Sequence, residues 1–446
     1  MVSLVVGLGK TGASCVRFLS KRGITVCATD SRLQPPGLAE LGDLAKKIDI
    51  RLGGFDLSLL NGVSQVLMSP GVALDEPIVR RARELKLEVI GDIELFARAV
   101  AAPVVGITGT NGKSTVTSLV ASMAQAAGRR VLAGGNLGEP ALDLLDQSAA
   151  DLYVLELSSF QLESTYSLHL VGAAVLNVTP DHMDRYPSEA AYAAAKARVL
   201  NHASTLVLNA DDPWVVAMRR KSVPSLTFSI QGADADYTLQ RKSTQIFLAR
   251  HGEPVLDMTR MKMSGLHNAA NALAALALGE AVGLPLAAMI AALESFPGLA
   301  HRSEFVADIA GVRYVDDSKG TNVGATLAAV AGLVGPLVMI AGGEGKGQDF
   351  SPLRAAFAGK VRAVVLIGKD APALAQILEN LVPIVRAQSM LEAVRTAADL
   401  AQVGDTVLLS PACASLDMFR DYTHRGQVFA AAVRELPRTR VAGAQA

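Results

Sequence analysis

The segment Gly106-Ile107-Thr108-Gly109-Thr110-Asn111-Gly112-Lys113-Ser114-Thr115 joins an apolar run at 102–105 to a helix-like segment at 116–127. A strand, a glycine-rich turn, a Lys-Ser-Thr sequence and a helix can hold nucleotide phosphates, because backbone N–H groups and the helix N-terminus face the anion. Lys113 would add a positive charge beside the β- and γ-phosphates, and Ser114 or Thr115 would reach a Mg²⁺ ion. The segment therefore predicts a phosphate-binding loop in an α/β sheet.

The glycine spacing of this loop is irregular. The strict pattern G-x-x-x-x-G-K-[ST] requires glycine five residues before Gly112, where Ile107 stands. The alternative is a chance cluster of glycines before a lysine. The strand, the Lys-Ser-Thr sequence and the helix are in register, and they favour the phosphate loop.

Length, charge and cysteine content narrow the class of protein. A chain of 446 residues suggests about three domains at roughly 150 residues each. Lys plus Arg equals Asp plus Glu at 42 each, and no basic tract favours nucleic acid. No apolar run is long enough to span a membrane, and the first residues resemble a buried strand rather than a signal peptide. The three scattered cysteines are typical of a reducing cytoplasm, so we expect a cytoplasmic protein.

The first of three predicted modules covers residues 1–90. It begins with a short strand, the turn Gly7-Leu8-Gly9-Lys10-Thr11-Gly12, a helix and a second strand that ends at Asp30. This is the pattern of a dinucleotide-type βαβ unit with an acidic residue about twenty positions on. A later strand ends in Ser69-Pro70-Gly71. The module therefore predicts a Rossmann-like sheet that binds a phosphate or nucleoside, with an ordinary parallel-sheet turn as the alternative.

The second module, residues 91–297, carries the Lys113 loop. Its later strands are continuous apolar runs, as in a parallel sheet that is covered on both faces. Polar residues follow these strands at Glu156, at Asn177 to His182 and at Asn209 to Asp212, so we expect Glu156 and His182 near the loop. The more alternating segment 237–263 predicts a small antiparallel addition.

The third module, residues 298–446, predicts another α/β sheet. Its strands end in polar loops at Asp316-Asp317-Ser318-Lys319, 342–347, 368–370 and 410–415. Pro297-Gly298 separates it from the second module, and we interpret this pair as a hinge for domain closure. Residues 438–446 are predicted to be a disordered tail.

Several side chains allow two interpretations from the sequence alone. Glu156 suits Mg²⁺, but an acid at a strand end also caps neighbouring helices. His182 is equally compatible with a metal site and a structural role. Lys196 lies in an alanine-rich helix, where a solvated lysine is the ordinary expectation. Asn268 and Asn271 share a helix face and suit either purine contacts or plain surface.

The charged loops of the third module suggest a second charged substrate. Asp317, Lys319, Lys346 and Ser415 all follow predicted strands, and the guanidinium of Arg302 can fork two phosphate oxygens. The residues alone imply phosphoryl transfer from ATP without identifying the acceptor.

The chain resembles the Mur ligases, the cytoplasmic ATP-dependent amide-forming enzymes of bacterial cell-wall precursor synthesis. The similar motifs cover nearly the whole chain, and they are 109–115, 156–161, 177–186, 266–271, Asp30-Ser31-Arg32, 69–72, 317–322 and 410–417. The resemblance implies that ATP drives the addition of D-glutamate to UDP-N-acetylmuramoyl-L-alanine by a monomeric enzyme. It also implies a Rossmann-like N-terminal domain for the UDP-sugar, a central ATPase domain and a Rossmann-like C-terminal domain for the amino acid.

The resemblance also implies a role for each matching residue. ATP would contact Gly109, Thr110, Asn111, Gly112, Lys113, Ser114, Thr115, Asn268, Asn271, Arg302 and Asp317. Two Mg²⁺ ions would be held by Ser114, Glu156, His182 and Lys196, with Lys196 as a CO₂-derived carbamate. The UDP-sugar would contact Thr11, Asp30, Arg32, Ser69 and Asn136, and D-glutamate would contact Thr321, Lys346, Ser415, Leu416 and Tyr422. Catalysis would depend on Lys113, His182, Lys196, Lys319 and Lys346.

The same resemblance explains the proposed carbamate on Lys196 and shows one difference from the family, at Tyr422. CO₂ added to the Lys196 amine would convert a cation, which Mg²⁺ repels, into a carboxylate-like ligand. Tyr422 stands where the family member that adds D-glutamate has phenylalanine, so the aromatic ring is kept.

The implied reaction has two steps. ATP phosphorylates the L-alanyl carboxylate, and the D-glutamate amine then displaces phosphate through a tetrahedral intermediate. The alternatives are a sister ligase for another amino acid, a folyl-polyglutamate synthetase, a nicotinamide oxidoreductase suggested by the first βαβ unit, and a nucleotide-regulated binding protein.

Overall fold

Three sheets follow one another along the chain in this computed structural model, which describes residues 2–243, 245–263, 265–333 and 335–437. The predicted tail at 438–446 lies outside the described residues. The α/β class and the three-domain organisation are confirmed, whereas the domain boundaries at 90 and 297 stay predictions.

The first sheet has five parallel strands in the order β3-β2-β1-β4-β5. Its elements are β1 Val2–Val6, α1 Lys10–Lys21, β2 Thr25–Asp30, α2 Pro36–Leu41, β3 Asp49–Leu52, β4 Gln65–Met68, α3 Pro77–Glu84 and β5 Glu88–Gly91, followed by α4 Asp92–Ala97. The carboxyl ends of β1, β2 and β4 lie side by side, so their loops share one edge of the sheet.

The second sheet has nine strands in the order β14-β13-β12-β11-β10-β9-β6-β8-β7. Its strands are β6 Val104–Thr108, β7 Val131–Gly135, β8 Leu152–Glu156, β9 Gly172–Val175, β10 Leu206–Asn209, β11 Ser225–Phe228, β12 Tyr237–Lys242, β13 Gln245–Arg250 and β14 Glu253–Asp257. Its helices are α5 Lys113–Ala126, α6 Ala141–Leu144, α7 Ser159–Glu163, α8 Glu189–Ala197, α9 Pro213–Ala217, α10 Leu266–Ala281 and α11 Leu286–Ser295. The antiparallel addition is confirmed, because β12 and β14 both pair with β13 in antiparallel register.

The third sheet has six strands in the order β15-β16-β20-β17-β18-β19. Its strands are β15 Glu304–Ile309, β16 Val312–Asp316, β17 Leu337–Gly342, β18 Val361–Ile367, β19 Ile384–Arg386 and β20 Thr406–Leu409, and its helices are α12 Val323–Gly332, α13 Ser351–Phe357, α14 Ala371–Leu378, α15 Met390–Leu400 and α16 Tyr422–Arg434. The strand order reverses between β17 and β20, and ligands of open α/β sheets bind at such reversals. The antiparallel edge strand β15 was absent from the sequence prediction.

Both faces of the third sheet are covered. Along β17, Met339 packs into one hydrophobic cluster and its neighbours Val338 and Ile340 pack into the other. Alternating side chains point to opposite faces of a strand, so a continuous apolar run is what a sheet buried on both sides requires.

By its internal contacts the chain divides into two compact units. The first comprises Met1–Val178, Ala190–Arg260 and Ala270–Ser295, and the second comprises Thr179–Glu189, Met261–Ala269 and Phe296–Ala446. The first two sheets therefore belong to one unit. The loop that contains His182 belongs to the other unit, with the third sheet. Among the described residues, no helix has the length and apolar character needed to cross a membrane.

The glycines of the first turn have different structural requirements. A Cβ atom on Gly12 would lie 1.9 Å from the carbonyl oxygen of Gly7, whereas a Cβ on Gly9 would meet nothing within 4 Å. Helix α1 therefore approaches β1 closely because residue 12 has no side chain.

We expect Gly12→Ala to lower the free energy of unfolding by about 1–3 kcal/mol or more through overpacking. The matched control Gly9→Ala should stay within about 0.5 kcal/mol of the parent chain. Denaturant midpoints followed by circular dichroism measure both, and equal losses in the two variants would contradict the packing argument.

Candidate active site

The predicted phosphate loop connects β6 to α5. Gly112 occupies the N-cap of α5 with a φ of 83°, a left-handed conformation that favours glycine, and Lys113 begins the helix. The backbone N–H of Asn111 donates to Oδ1 of Asn177 at 2.8 Å, and the Thr110 N–H donates to the Asn177 carbonyl at 2.9 Å. Asn177 follows the neighbouring strand β9, so the sheet itself fixes the shape of the loop.

Two lysine side chains converge on one backbone oxygen of this loop. The Nζ atom of Lys113 donates to the Gly109 carbonyl at 2.9 Å, and the Nζ atom of Lys196 donates to the same oxygen at 2.8 Å. Lys113 also donates to the Thr110 carbonyl at 2.8 Å. The two ammonium groups therefore concentrate positive charge at the loop predicted to hold phosphate.

Lys196 is buried. Its side chain lies on the alanine-rich helix α8 with 1% of its surface exposed, and its Nζ atom is 4.3 Å from the ring centroid of Tyr192. The interpretation of Lys196 as a solvated helix lysine is therefore wrong. Small alanine side chains let α8 approach the loop, and Lys196 is long enough to reach it.

Glu156 ends β8 beside the same sheet edge and is also buried. Its Oε1 atom accepts a hydrogen bond from Nδ2 of Asn136 at 2.6 Å, and its carbonyl accepts from the Asn136 backbone N–H at 2.9 Å. Asn271 of α10 is also close to the loop, because a Cβ atom on Gly112 would lie 2.3 Å from its Oδ1. The first unit thus brings together, at one sheet edge, five residues that were predicted to have different roles, namely Lys113, Asn136, Glu156, Lys196 and Asn271.

A cavity of about 550 Å³ opens at the carboxyl ends of the first sheet. All five residues predicted for the UDP-sugar line it, namely Thr11, Asp30, Arg32, Ser69 and Asn136. Asn136 therefore contacts Glu156 and also borders this cavity.

Asp30 does not present a free carboxylate to the cavity. Its Oδ1 accepts from the backbone and Nε of Arg32, and its Oδ2 accepts from the Arg32 guanidinium at 2.7 Å and from the Leu8 N–H at 2.6 Å. Burial raises the pKa of Asp30, but these bonds with Arg32 and Leu8 outweigh it and hold the pKa below its ordinary value. Asp30 thus fixes the turn and orients Arg32, whose side chain is half exposed.

Lys10 and Gln161 are among the residues of this cavity that had no predicted role. Lys10 borders it and donates to the Gly138 carbonyl at 2.7 Å. Gln161 is buried at its wall, donates to Asp92 at 3.0 Å and forms a capping box with Ser158 at the start of α7. Burial raises the pKa of Asp92 to about 6. The S-x-x-Q spacing of the capping box was readable in the sequence, whereas the Asp92 contact was not.

The second unit contains the loop with His182. Its neighbour Asp181 is buried and forms an ion pair with Lys346, whose Nζ is 2.6 Å from Oδ1 of Asp181. Asn322 donates to the other carboxylate oxygen at 3.1 Å. Burial raises the pKa of Asp181. The charges of Lys346 and His182 and the hydrogen bonds from Lys346 and Asn322 together outweigh burial and hold the pKa below its ordinary value. His182 is half-buried with a φ of 58°, so the loop holds it in a strained backbone conformation.

Asp317 and Lys319 lie in the loop after β16. Asp317 accepts from Oγ of Ser410 at 2.7 Å and from the backbone N–H of Ser303, which follows Arg302, at 3.1 Å. Burial raises the pKa of Asp317 to about 7. The Nζ atom of Lys319 lies 3.8 Å from the ring centroid of Tyr422, a cation–π contact.

Three further residues that were predicted to bind the amino acid lie in loops of the second unit. Ser415 is buried in the loop after β20, Leu416 is 68% exposed, and the Thr321 N–H donates to the Lys319 carbonyl at 2.8 Å. His182, Asn268, Arg302, Asp317, Lys319 and Lys346 all belong to the second unit, whereas Lys113, Ser114, Thr115, Glu156, Lys196 and Asn271 belong to the first.

Three domain families match the chain in order. A MurD-like N-terminal domain of Mur ligases matches residues 2–91, the Mur ligase middle domain matches 107–279, and the glutamate ligase domain of Mur ligases matches 301–413.

Whole proteins match over nearly the full length. A UDP-N-acetylmuramoylalanine–D-glutamate ligase of Nitrosococcus oceani is 55% identical over 97% of this chain and 96% of its own. A ligase of the same name from Pseudomonas aeruginosa is 50% identical over 97% and 98%.

A solved structure shares the fold. UDP-N-acetylmuramate-alanine ligase of Thermotoga maritima is 19% identical, with a TM-score of 0.63 over 97% of this chain and 99% of that one. With three matching domains in order and relatives at 50% and 55% identity over nearly the whole length, the chain belongs to the Mur ligase family.

Proposed function

We propose that this chain is an ATP-dependent ligase that adds D-glutamate to UDP-N-acetylmuramoyl-L-alanine in peptidoglycan precursor synthesis. The observation that carries the proposal is the pair of hydrogen bonds from Asn136 to Glu156, because Asn136 borders the 550 Å³ cavity while Glu156 lies at the edge of the phosphate-loop sheet. A UDP-sugar in the cavity would direct its free carboxylate toward the ATP phosphates. The names of the two relatives described above support the choice of amino acid.

The first step would transfer the γ-phosphoryl group of ATP to the L-alanyl carboxylate. A carboxylate oxygen forms the new P–O bond, the bridging bond to ADP breaks, and an acyl phosphate results. The transition state spreads negative charge over the phosphoryl oxygens, and the Lys113 ammonium group at the Gly109 carbonyl is positioned to stabilise it.

The second step would join the amino acid. The neutral D-glutamate amine attacks the acyl carbon, a tetrahedral intermediate forms and loses a proton, and phosphate leaves with its bonding electron pair. Lys319, Thr321, Lys346, Ser415, Leu416 and Tyr422 are the residues that we assign to the amino acid. Because Lys346 is paired with Asp181 at 2.6 Å, a substrate carboxylate would compete with Asp181 for this ammonium group.

The chemistry of the residues fits Mg²⁺, which prefers oxygen ligands. Within the first unit, Glu156 offers a buried carboxylate, Ser114 offers a hydroxyl in the first turn of α5, and a carbamate on Lys196 would add oxygen ligands. His182 stays a predicted ligand. When bound, Mg²⁺ would neutralise phosphate charge.

A carbamate on Lys196 would also replace one of two neighbouring positive charges with a negative one. Lys113 and Lys196 share one acceptor oxygen, so their positive charges oppose each other. Addition of CO₂ to the uncharged amine forms an N–C bond and releases a proton, which leaves an anion beside Lys113.

We also propose that the protein is cytoplasmic and acts as a monomer. All three cysteines are buried free thiols, and free thiols are typical of a reducing compartment.

An amino-acid panel tests the proposed activity. ADP release in the presence of ATP and UDP-N-acetylmuramoyl-L-alanine should depend on D-glutamate. Turnover with L-glutamate, L-alanine or a diamino acid, and none with D-glutamate, would refute the choice. NADH binding in place of UDP binding would instead favour an oxidoreductase.

We expect two lysine variants to separate the nucleotide and UDP-sugar functions. Lys113→Ala should abolish acyl-phosphate formation and retain UDP-sugar binding, because its ammonium group lies on the phosphate loop. Lys10→Ala should weaken UDP-sugar binding and retain ATP binding, because Lys10 borders the 550 Å³ cavity. Calorimetry and hydroxylamine trapping measure both, and strong residual turnover in Lys113→Ala would contradict the assignment of the loop.

We expect Lys196→Ala to have low activity that short carboxylic acids partly restore, because they can occupy the position of a carbamate. The unsubstituted enzyme with the same acids is the control and should gain nothing. Full activity of Lys196→Ala without any acid would exclude a catalytic carbamate.

The raised pKa of Asp317 predicts a pH dependence of stability. Between about pH 4 and pH 7 the folded chain keeps this proton while the unfolded chain loses it, so stability should fall as pH rises through that window. The slope is on the order of 1.4 kcal/mol per pH unit for one full proton. Asp317→Asn should remove this contribution from the denaturation midpoints, and an unchanged difference between variant and parent across pH 4–7 would contradict it.

A further inference from the structure

Arg425 of α16 is an arginine enclosed in the third domain. Its exposed fraction is 0%, and its three hydrogen bonds go to oxygen atoms without formal charge. Nε donates to Oγ of Ser318 at 3.0 Å, one terminal nitrogen donates to the Ser318 carbonyl at 2.7 Å, and the other donates to the Cys413 carbonyl at 3.1 Å.

These bonds join three segments. Ser318 stands between Asp317 and Lys319 after β16, and Cys413 stands two residues before Ser415 after β20. The Ser318 hydroxyl in turn donates to the Tyr422 carbonyl at 2.7 Å, which fixes the first residue of α16. One guanidinium therefore connects the segments that carry Lys319, Ser415 and Tyr422.

Helix α16 reaches this position because the next residue is glycine. A Cβ atom on Gly426 would lie 2.2 Å from Nδ1 of His301 and 2.6 Å from Oδ2 of Asp316. The His301 carbonyl also accepts from the Lys319 N–H at 3.1 Å. The close approach of α16 thus holds Arg425 against the Lys319 loop.

The burial of this charge is costly. Burial lowers the pKa of Arg425 to about 10, although the nearby acidic groups Asp417, Asp316 and Asp317 act in the opposite direction. An apolar side chain of similar volume would avoid the cost of desolvating a cation. A lysine would keep the charge, but its single nitrogen cannot reproduce the planar fork that reaches both loops.

We propose that Arg425 is a positioning residue that holds Lys319, Ser415 and Tyr422 in the arrangement that binds the carboxylates of the incoming amino acid. The inference rests on the proposed assignment of these three residues to D-glutamate. Arg425 has no contact with substrate in this account and acts through the loops that it joins.

The test compares Arg425→Lys with a matched control, Arg362→Lys, in the full-length enzyme. Arg362 also forms two hydrogen bonds in the third sheet, to Asp405 at 2.5 and 3.1 Å, but it lies at the amino ends of the strands. Displacement of binding groups by about 1 Å costs up to about a hundredfold in rate. Arg425→Lys should therefore raise the KM for D-glutamate by about tenfold or more, while the KM for ATP and for the UDP-sugar stays within about twofold.

Two further readouts complete the design. Acyl-phosphate formation without D-glutamate, trapped by hydroxylamine, should persist in Arg425→Lys, and Arg362→Lys should keep every KM near the parent value. The second variant, Ser318→Ala, removes the hydroxyl between Arg425 and Tyr422 and should raise the KM for D-glutamate by a smaller factor. It keeps the test decisive if Arg425→Lys does not fold.

The inference is overturned if every folded variant at positions 425 and 318 keeps the parental KM for D-glutamate. A parallel loss for all three substrates, which indicates a purely structural role, overturns it as well. Absence of D-glutamate turnover in the unsubstituted enzyme would instead refute the proposed function.

Discussion

The arrangement of the first unit depends on one backbone oxygen, the Gly109 carbonyl, which accepts hydrogen bonds from Lys113 and Lys196. Two ammonium groups at one acceptor repel each other unless an anion lies nearby. Triphosphate or a carbamate would add negative charge at this position. The glycine-rich turn gives the backbone its shape, and the alanine-rich helix α8 brings the second lysine to it.

A buried carboxylate connects the edge of the phosphate-loop sheet to the UDP-sugar cavity. Asn136 donates twice to Glu156 and borders the cavity, so a buried carboxylate and a substrate-lining amide share one position at the sheet edge. In the second unit, Asp181 neutralises Lys346 at 2.6 Å, and Arg425 is held by uncharged oxygens. The partners of Lys346 and Arg425 therefore limit where the negative charge of a substrate can bind.

Much of the fold followed from local patterns in the sequence. Glycine-rich turns after apolar runs predicted the strand-end loops, and alternation in 237–263 predicted the antiparallel strands. Long-range contacts were not predictable, because no periodicity encodes them. The bond from Lys196 to Gly109 spans 87 residues and the pair of Lys346 with Asp181 spans 165. Arg425 was given no role from the sequence, and the edge strand β15 was not predicted because its side chains are largely exposed or half-buried.

The central claim is that this ATP site activates a carboxylate, and isotope transfer tests it most directly. The UDP-sugar substrate would carry oxygen-18 in its L-alanyl carboxylate, and the released phosphate would be examined by mass spectrometry after a D-glutamate-dependent turnover. An acyl-phosphate mechanism predicts one oxygen-18 atom in each phosphate, because the C–O bond to the labelled oxygen breaks in the second step. Phosphate free of the label, with amide product formed, would contradict the account.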